Sequence, residues 1–477
     1  MIFLQRKPQY LATLSLALLL SACAVGGPYE SMQVPAAQSP AYQVPAQAQL
    51  LSSEQQVIAH WWNSLEDAQL SALVDEALLY NKDIAIAVAN LRRARTDLRG
   101  ASLDRLPSIG SSISASEQRL ADAATLGASD NRTSRYQTGF DASWELDLFG
   151  RLEQQEFASR AQFEATEAEL DQAYVTVAAE VARSYIELRG AQLRLQVAER
   201  NVDILTQSAQ MTQQLLDGGL GDNLDVQRAT VQLELARANL PALREQIALN
   251  INRLSVLTGN MPATLRRELE QAQGLPSIPP SIAIGAPMDL LKRRPDIRRA
   301  DRQLASAIAG YNVSVADMYP RVSISGSIGF LATAFADLGS GGTLTHIIGP
   351  QISWDAFDFG RVRNRIDAAD AQIALQLAYF ERTLLTSFEE VDNAMYSLTA
   401  ELERQASLRA AAQASAQSSG FAMQRFEAGS DSFLDLLDAQ RTQLVAEDQL
   451  AMSEIDAALN VITLYKALGG GWELSAQ

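Results

Sequence analysis

The sequence predicts a mainly α-helical protein with a membrane β-barrel, built as a two-repeat protomer. Three observations carry this expectation. The octapeptide Trp144-Glu145-Leu146-Asp147-Leu148-Phe149-Gly150-Arg151 returns as Trp354-Asp355-Ala356-Phe357-Asp358-Phe359-Gly360-Arg361, 210 positions on. Behind each copy, from Arg151 to Asp217 and from Arg361 to Ala428, there is no proline and a single glycine, Gly190 or Gly420. Ahead of each copy, apolar and polar residues alternate with period two, the mark of a strand with two unlike faces.

In chain order, residues 1–22 read as a lipoprotein signal peptide. Arg6 and Lys7 precede an apolar run from Leu11 to Leu20, which is too short to span a membrane. The run ends in Leu20-Ser21-Ala22-Cys23, a lipobox in which the only cysteine of the chain is expected to carry covalent lipid after cleavage. Ala24 follows it instead of the Asp that marks inner-membrane retention, so export to the outer membrane is expected. Residues 23–60 form a lipidated extended linker. Residues 61–259 make the first repeat: helix, β-hairpin at about 107–149, long helix, turn, helix. A linker, 260–288, leads to the second repeat, 289–469, with its hairpin at about 320–359, and residues 470–477 are a tail.

The duplication fixes these bounds. Downstream of the octapeptide the offset of 210 holds without a gap, pairing Val181 with Val391, Gly219 with Gly429, Leu224-Asp225 with Leu434-Asp435, Asn250 with Asn460 and Gly259 with Gly469. Upstream, Asp83-Ile84 and Pro107 match Asp296-Ile297 and Pro320 at 213. Searching for such self-similarity comes first, because a missed repeat misassigns the whole fold.

At 1.5 Å per residue each proline-free stretch makes a helix roughly 100 Å long. Apolar positions recur by sevens, at Tyr174, Val181, Leu188, Leu195, Val202, Ala209 and Leu216, then at Val226, Leu233, Leu240, Ile247 and Leu254. That period favours left-handed supercoiling. A companion seam of Ser184, Ala191, Ala198, Ala229 and Ala236 permits close helix approach, and Pro241 is expected to kink the shorter helix.

In the first hairpin, Tyr136, Thr138, Phe140, Ala142, Trp144, Leu146 and Leu148 alternate with Arg135, Gln137, Gly139, Asp141, Ser143, Glu145 and Asp147. Weaker alternation runs through Ile109 to Ala115, Val322 to Phe330 and Ile348 to Trp354. A soluble sheet with one wet face shows the same pattern. Strands of this kind also cross an outer membrane, apolar face to lipid. One chain supplies four, fewer than a closed barrel needs, and an open edge cannot sit in hydrocarbon. Several copies must then share one barrel, with Leu120–Arg132 and Leu331–Gly342 as its exposed loops.

Composition narrows the function. With 39 Lys+Arg against 56 Asp+Glu the formal charge is −17, which excludes nucleic acid as an expected partner. One Cys and two His, His60 and His346, are too few for a zinc site, a disulfide framework or a thiol enzyme. No phosphate loop or nucleophile elbow is present, so no enzymatic activity, metal or cofactor is expected beyond lipid on Cys23.

The chain resembles the TolC-type outer-membrane factors, in their OprM-like (NodT-type) lipoprotein branch. The matching residues are Trp61-Trp62 with Leu65 and Asp67, Asn81-Lys82-Asp83, Leu290-Leu291-Lys292-Arg293-Arg294-Pro295-Asp296-Ile297, the two Trp-to-Gly-Arg motifs, and Arg425-Phe426-Glu427-Ala428-Gly429 leading to Leu437-Asp438-Ala439-Gln440-Arg441. The resemblance implies a homotrimer with a 12-stranded barrel and a long α-helical periplasmic tunnel. It implies an exit duct for a multidrug efflux pump, joined by a periplasmic adaptor (a membrane fusion protein) to an inner-membrane transporter of RND type. An exit duct for protein secretion or metal efflux shares the fold, and a non-porous structural lipoprotein rod is the reading from another class.

The resemblance also carries over a periplasmic gate at Leu434, Asp435, Asp438 and Arg441, and adaptor-facing turns at Gly219-Leu220 and Gly429-Ser430. Asp435 and Asp438 are three apart at a helix start, hence on one face and favourable to the helix dipole. Three copies would place six carboxylates at a narrow mouth, where closure needs counter-charge, protonation or bound cations, and Arg441 lies three residues from Asp438 on the same helix face. The first repeat departs from this, because Arg228 stands where the second has Asp438.

Overall fold

A computed structural model describes residues 29, 50–52, 59–119, 121, 132–262, 264–285 and 293–472. Cys23, the leader and most of the loop from Leu120 to Arg132 lie outside them. In chain order the elements are β1 (Leu51–Ser52), α1 (Ala68–Tyr80), α2 (Lys82–Leu103), β2 (Ser108–Arg119), β3 (Arg132–Leu146), α3 (Arg151–Asp217), α4 (Asn223–Leu257), α5 (Arg266–Leu269), β4 (Ile282–Ala283), α6 (Pro295–Ala316), β5 (Arg321–Ala332), β6 (Leu344–Ser353), α7 (Arg361–Glu427) and α8 (Phe433–Ala467). Both long helices, α3 and α7, have 67 residues. Helix α4 continues through Pro241.

The chain divides into two compact units, 1–33 with 91–166 and 299–381, and 34–90 with 167–298 and 382–477. Each unit takes residues from both repeats.

The first unit holds a four-stranded antiparallel sheet in the order β2-β3-β5-β6. The two hairpins meet through β3 and β5, with Trp144 opposite Ile324 and Phe140 opposite Ile328. One face carries Ile113, Phe140, Ile328, Ile348 and Ile352, all exposed, with Ile113 at 87 % and Ile348 at 77 %. The opposite face carries Ser112, Asp141, Ser327 and Gln351. An uncovered apolar face of this size is tolerated in lipid rather than in water. No described helix is long and apolar enough to cross a membrane.

Each strand-to-helix corner is built twice. The Trp144 indole N–H donates to the Arg105 carbonyl, and that of Trp354 to the Met318 carbonyl, both at 3.0 Å. Helix α3 starts with its Leu152 and Glu153 N–H groups donating to the Asp147 carboxylate, at 3.1 and 2.8 Å. At the start of α7 the same task falls to Asp358, which accepts from Gly360 and Val362 at 2.9 and 2.5 Å. Asp147 aligns with Phe357 and not with Asp358, so the acid has moved one place while its work is unchanged. That work is to satisfy N–H groups which have no partner inside the helix.

Among the described residues of the second unit, the only strands are β1 and β4, which pair in parallel over two residues. Trp61 and Trp62 are fully buried, and Trp61 stacks on Tyr465 of α8 at 5.1 Å. Arg189 of α3 is also fully buried. It donates to the Gln192 side chain at 2.7 Å, to the Gln271 carbonyl at 2.8 Å and to Gln69, and lies over the Tyr185 ring. Burial pushes the Tyr185 hydroxyl up to about 12, so at neutral pH it donates to Asp67 at 2.9 Å.

The ends of the last helix in each repeat are clamped alike. Asn81 donates to the Leu257 carbonyl at 2.8 Å, and Arg294 to the Ala467 carbonyl at 2.9 Å. Arg294 further holds Asp296 and Glu390, with nitrogen–oxygen distances of 2.6 and 2.7 Å. The motif around Arg294 is thereby a helix-end clamp.

Buried positions along α3 depart from the sevenfold apolar series. Val181 and Leu188 are buried as expected, but beyond Ala191 the buried stripe runs Val197, Asn201, Leu205, Ser208 and Thr212, while Leu195, Val202 and Ala209 are half-exposed. The reason is visible at Ser208, whose hydroxyl meets the buried Gln440 amide of α8 at 2.8 Å. A polar side chain paired in this way can be buried among apolar ones, and an apolar count passes over it.

Gly139 and Gly329 face each other where β3 meets β5. A Cβ on Gly329 would lie 2.7 Å from the Gly139 Cα and collide with the Thr138 carbonyl. Gly329→Val is expected to prevent this pairing and to abolish heat-modifiable gel migration, the sign of a folded barrel. Gly349→Val, where an added Cβ meets nothing within 4 Å in one chain, is the control for strand propensity.

Candidate functional site

The turns that follow the two long helices lie within the second unit and are built by one device. Helix α3 ends at Gly219, φ +73°, with Gly219 N–H donating to the Leu216 carbonyl at 3.0 Å and Leu220 N–H to the Leu215 carbonyl at 2.8 Å. Helix α7 ends at Gly429, φ +68°, with Gly429 N–H donating to Phe426 and Ser430 N–H to Arg425, both at 2.9 Å. This is the Schellman arrangement, whose left-handed residue is best supplied by glycine. A Cβ on either glycine would meet nothing within 4 Å, and Leu220 is 83 % exposed. All four expected docking residues, Gly219, Leu220, Gly429 and Ser430, therefore sit on an open surface.

The helix starts beyond these turns differ between repeats. Asp222 caps α4 by accepting from Leu224 N–H at 3.0 Å, and Asp225 pairs with Arg228 at 3.3 Å. Arg228 thus neutralises the acid of its own turn. In the second repeat Ser432 caps α8 in a reciprocal box with Asp435. The Ser432 hydroxyl donates to the Asp435 carboxylate at 2.6 Å, the Ser432 N–H donates to it at 3.2 Å, and the Asp435 N–H returns to the hydroxyl at 3.4 Å. The Ser432 hydroxyl and N–H hold the Asp435 carboxyl below the usual carboxylate range.

Asp435 and Asp438 are thereby distinguished, although the sequence presents them as equivalents. Asp435 is engaged in the cap. Asp438 is exposed, and among the described residues neither it nor Arg441 has an ion-pair partner in one copy, so the counter-charge from Arg441 to Asp438 is not made. Leu434 is exposed beside them. Arg425 closes the turn from the other side, on Asp431 at 2.7 Å.

Sequence reasoning missed what holds this region. Phe433 and Leu436 of α8 and Ala229 of α4 form a buried cluster, packed by Ala209 of α3 and by Ala422, Met423 and Phe426 of α7. Phe426 and Phe433 have ring centroids 5.7 Å apart. Further along, Arg194 of α3 grips Asp448 of α8 through two bonds, at 2.9 and 3.2 Å. Phe433 and Leu436 stand three apart, directly after the cap, and that spacing was a readable signal for a buried face.

Comparison with known proteins fits this geometry. The outer membrane efflux protein family model matches residues 73–260 and 286–470. OprJ, an outer membrane protein of Pseudomonas aeruginosa, is 30 % identical over 470 residues, covering 98 % of this chain and 97 % of that one. TtgC of Pseudomonas putida, named a probable efflux pump outer membrane protein, is 29 % identical over 463 residues, covering 96 % and 94 %. The solved structure of the outer-membrane channel OprN is 38 % identical with a TM-score of 0.88, over 94 % of this chain and all of that one. Paired long helices closed by glycine turns, a sheet with an apolar outer face and these matches along both repeats lead to one assignment: the chain belongs to the outer membrane efflux protein family.

Proposed function

We propose that this chain is the outer-membrane exit duct of a tripartite multidrug efflux pump. The observation that carries the reading is the four-stranded sheet, apolar on one exposed face and polar on the other, whose outer strands have no further partner among the described residues of one chain. Three copies complete a 12-stranded barrel, since four strands cannot close and an edge cannot remain in lipid. Their long helices then line the periplasmic tunnel of a homotrimer. The duct is passive: a periplasmic adaptor docks on the glycine turns, and an RND-type inner-membrane transporter supplies the drug.

Around a threefold axis the second helix start brings Leu434, Asp435 and Asp438 of each copy to a narrow mouth. Crowded carboxylates repel one another, which favours bound cations or protonation in the closed state. The two acids have separate tasks there, Asp435 holding the helix start and Asp438 presenting charge.

Planar-bilayer recording of the trimer tests this division. Asp438→Ala is expected to lower cation selectivity with little change in conductance. Ser432→Ala removes a cap, at a cost of about 1 kcal/mol, and is expected to raise conductance while selectivity holds. Asp435→Ala with Asp438→Ala should do both, and wild-type conductance and selectivity in that double variant would remove the pair from the gate.

The pH dependence has a definite sign. The folded Asp435 carboxyl titrates below its unfolded value, so its contribution is present at neutral pH and is lost as pH falls through the folded value. Ser432→Ala returns the carboxyl toward its unfolded value and removes most of this contribution, so proteolytic nicking of the turn should be faster at neutral pH and should change less on acidification than in the wild type.

Gly429→Trp is expected to lower pump-dependent drug resistance several-fold with trimer yield unchanged. The left-handed backbone costs a non-glycine residue roughly 1–2 kcal/mol, and the ring would project from the docking surface. Unchanged resistance would place the adaptor elsewhere.

Cys23→Ser is expected to abolish incorporation of labelled palmitate while the trimer still assembles, because the barrel is itself a membrane anchor. Equal labelling of the variant would exclude Cys23 as the lipid site.

A further inference from the structure

The duplication serves as a ruler for contacts that one chain cannot make with itself. Residues up to the first strand of each hairpin correspond at an offset of 213, and residues from the second strand onward at 210. The structure obeys this correspondence in three independent places. Ile109↔Ala142 and Ser111↔Phe140 of the first hairpin become Val322↔Ile352 and Ile324↔Pro350 of the second, without slippage along the pairing. The bond from Trp144 to Arg105 becomes that from Trp354 to Met318. The clamp from Asn81 to Leu257 becomes that from Arg294 to Ala467.

The hairpins also pair with each other, through β3 and β5. The same correspondence carries β3 onto β6 and β5 onto β2, which are the two outer strands of the sheet. It turns Trp144↔Ile324 into Trp354 opposite Ser111, Ala142↔Gly326 into Ile352 opposite Ile113, and Asp141↔Ser327 into Gln351 opposite Ser114. These strands are at opposite edges of one sheet and cannot meet within a chain. We propose that β6 pairs antiparallel with β2 of a second copy of this chain in this register. The inference rests on the duct reading above and adds to it which residues meet.

Two features not used in deriving the register agree with it. The pairing keeps faces together, joining Ile352 to Ile113 on the apolar side and Gln351 to Ser114 on the polar side. A one-residue slip would set each apolar residue against a polar one. Below the sheet, Phe149 stacks on Tyr319 at 4.8 Å. Its counterpart Phe359 is 97 % exposed, and the counterpart of Tyr319 is Leu106, 58 % exposed. The same operation seats Phe359 of one copy on Leu106 of the next, which gives both a partner.

Disulfide trapping in the full-length protein in native membranes tests the register. Directly opposed residues lie about 4.5–5.5 Å apart between Cα atoms, within disulfide reach, and diagonal ones about 7–8 Å. Ser114→Cys combined with Gln351→Cys is expected to give, on oxidation, a reductant-sensitive ladder ending at three chains, and neither single variant should. Ser112→Cys or Ser116→Cys with Gln351→Cys keeps the face but shifts the register by two, and should cross-link at least tenfold less. Strongest trapping in a shifted pair would overturn the register, as would no trapping in variants that still migrate as trimers without heating. Absence of any heat-dissociable oligomer in the wild type would instead overturn the duct reading, and the register with it.

Discussion

An unpaired backbone N–H or C=O cannot remain in hydrocarbon, and the rest of this molecule depends on that constraint. Four strands with an apolar outer face belong in lipid, yet β2 and β6 each present a row of unsatisfied groups. The chain is therefore an incomplete object by itself. Its exposed Ile113 and Ile348 belong to the face that lipid covers, whereas the exposed Phe359 follows an edge that another copy covers.

Duplication meets the constraint economically. One corner, one turn and one helix-end clamp each occur twice, and the internal junction between hairpins is a contact of the same kind as the one between copies. Duplicated parts keep their physical task even where a residue changes. Asp147 and Asp358 sit one place apart in register but cap the same helix start. Asn81 and Arg294 differ in chemistry but hold the same carbonyl position, at Leu257 and Ala467.

The repeats diverge at the helix starts that follow the glycine turns. The first helix start balances Asp225 with Arg228, whereas the second commits Asp435 to its cap and, among the described residues of one copy, gives Asp438 no ion pair. Beneath both, residues of α3, α4, α7 and α8 share one cluster around Phe433 and Leu436. A change at either turn is thus felt by four helices, and the acids of the second turn rest on a packed base.

What the sequence determined alone is everything that depends on near neighbours along the chain. The long helices, the strand alternation and the glycine ends are legible because helix and strand periods and left-handed glycine are local properties, and the repeat offset because the sequence can be compared with itself. Tertiary structure decided which strands neighbour one another, since β3 and β5 are far apart in sequence and either hairpin order satisfies the alternation. It decided that Ser208 is buried on α3 in place of the apolar series, because its partner Gln440 comes from more than two hundred residues away. The difference between Asp435 and Asp438 is by contrast local: Ser432 stands three residues before Asp435 in a capping box, a signal present in the sequence that the pairing of the two acids passed over.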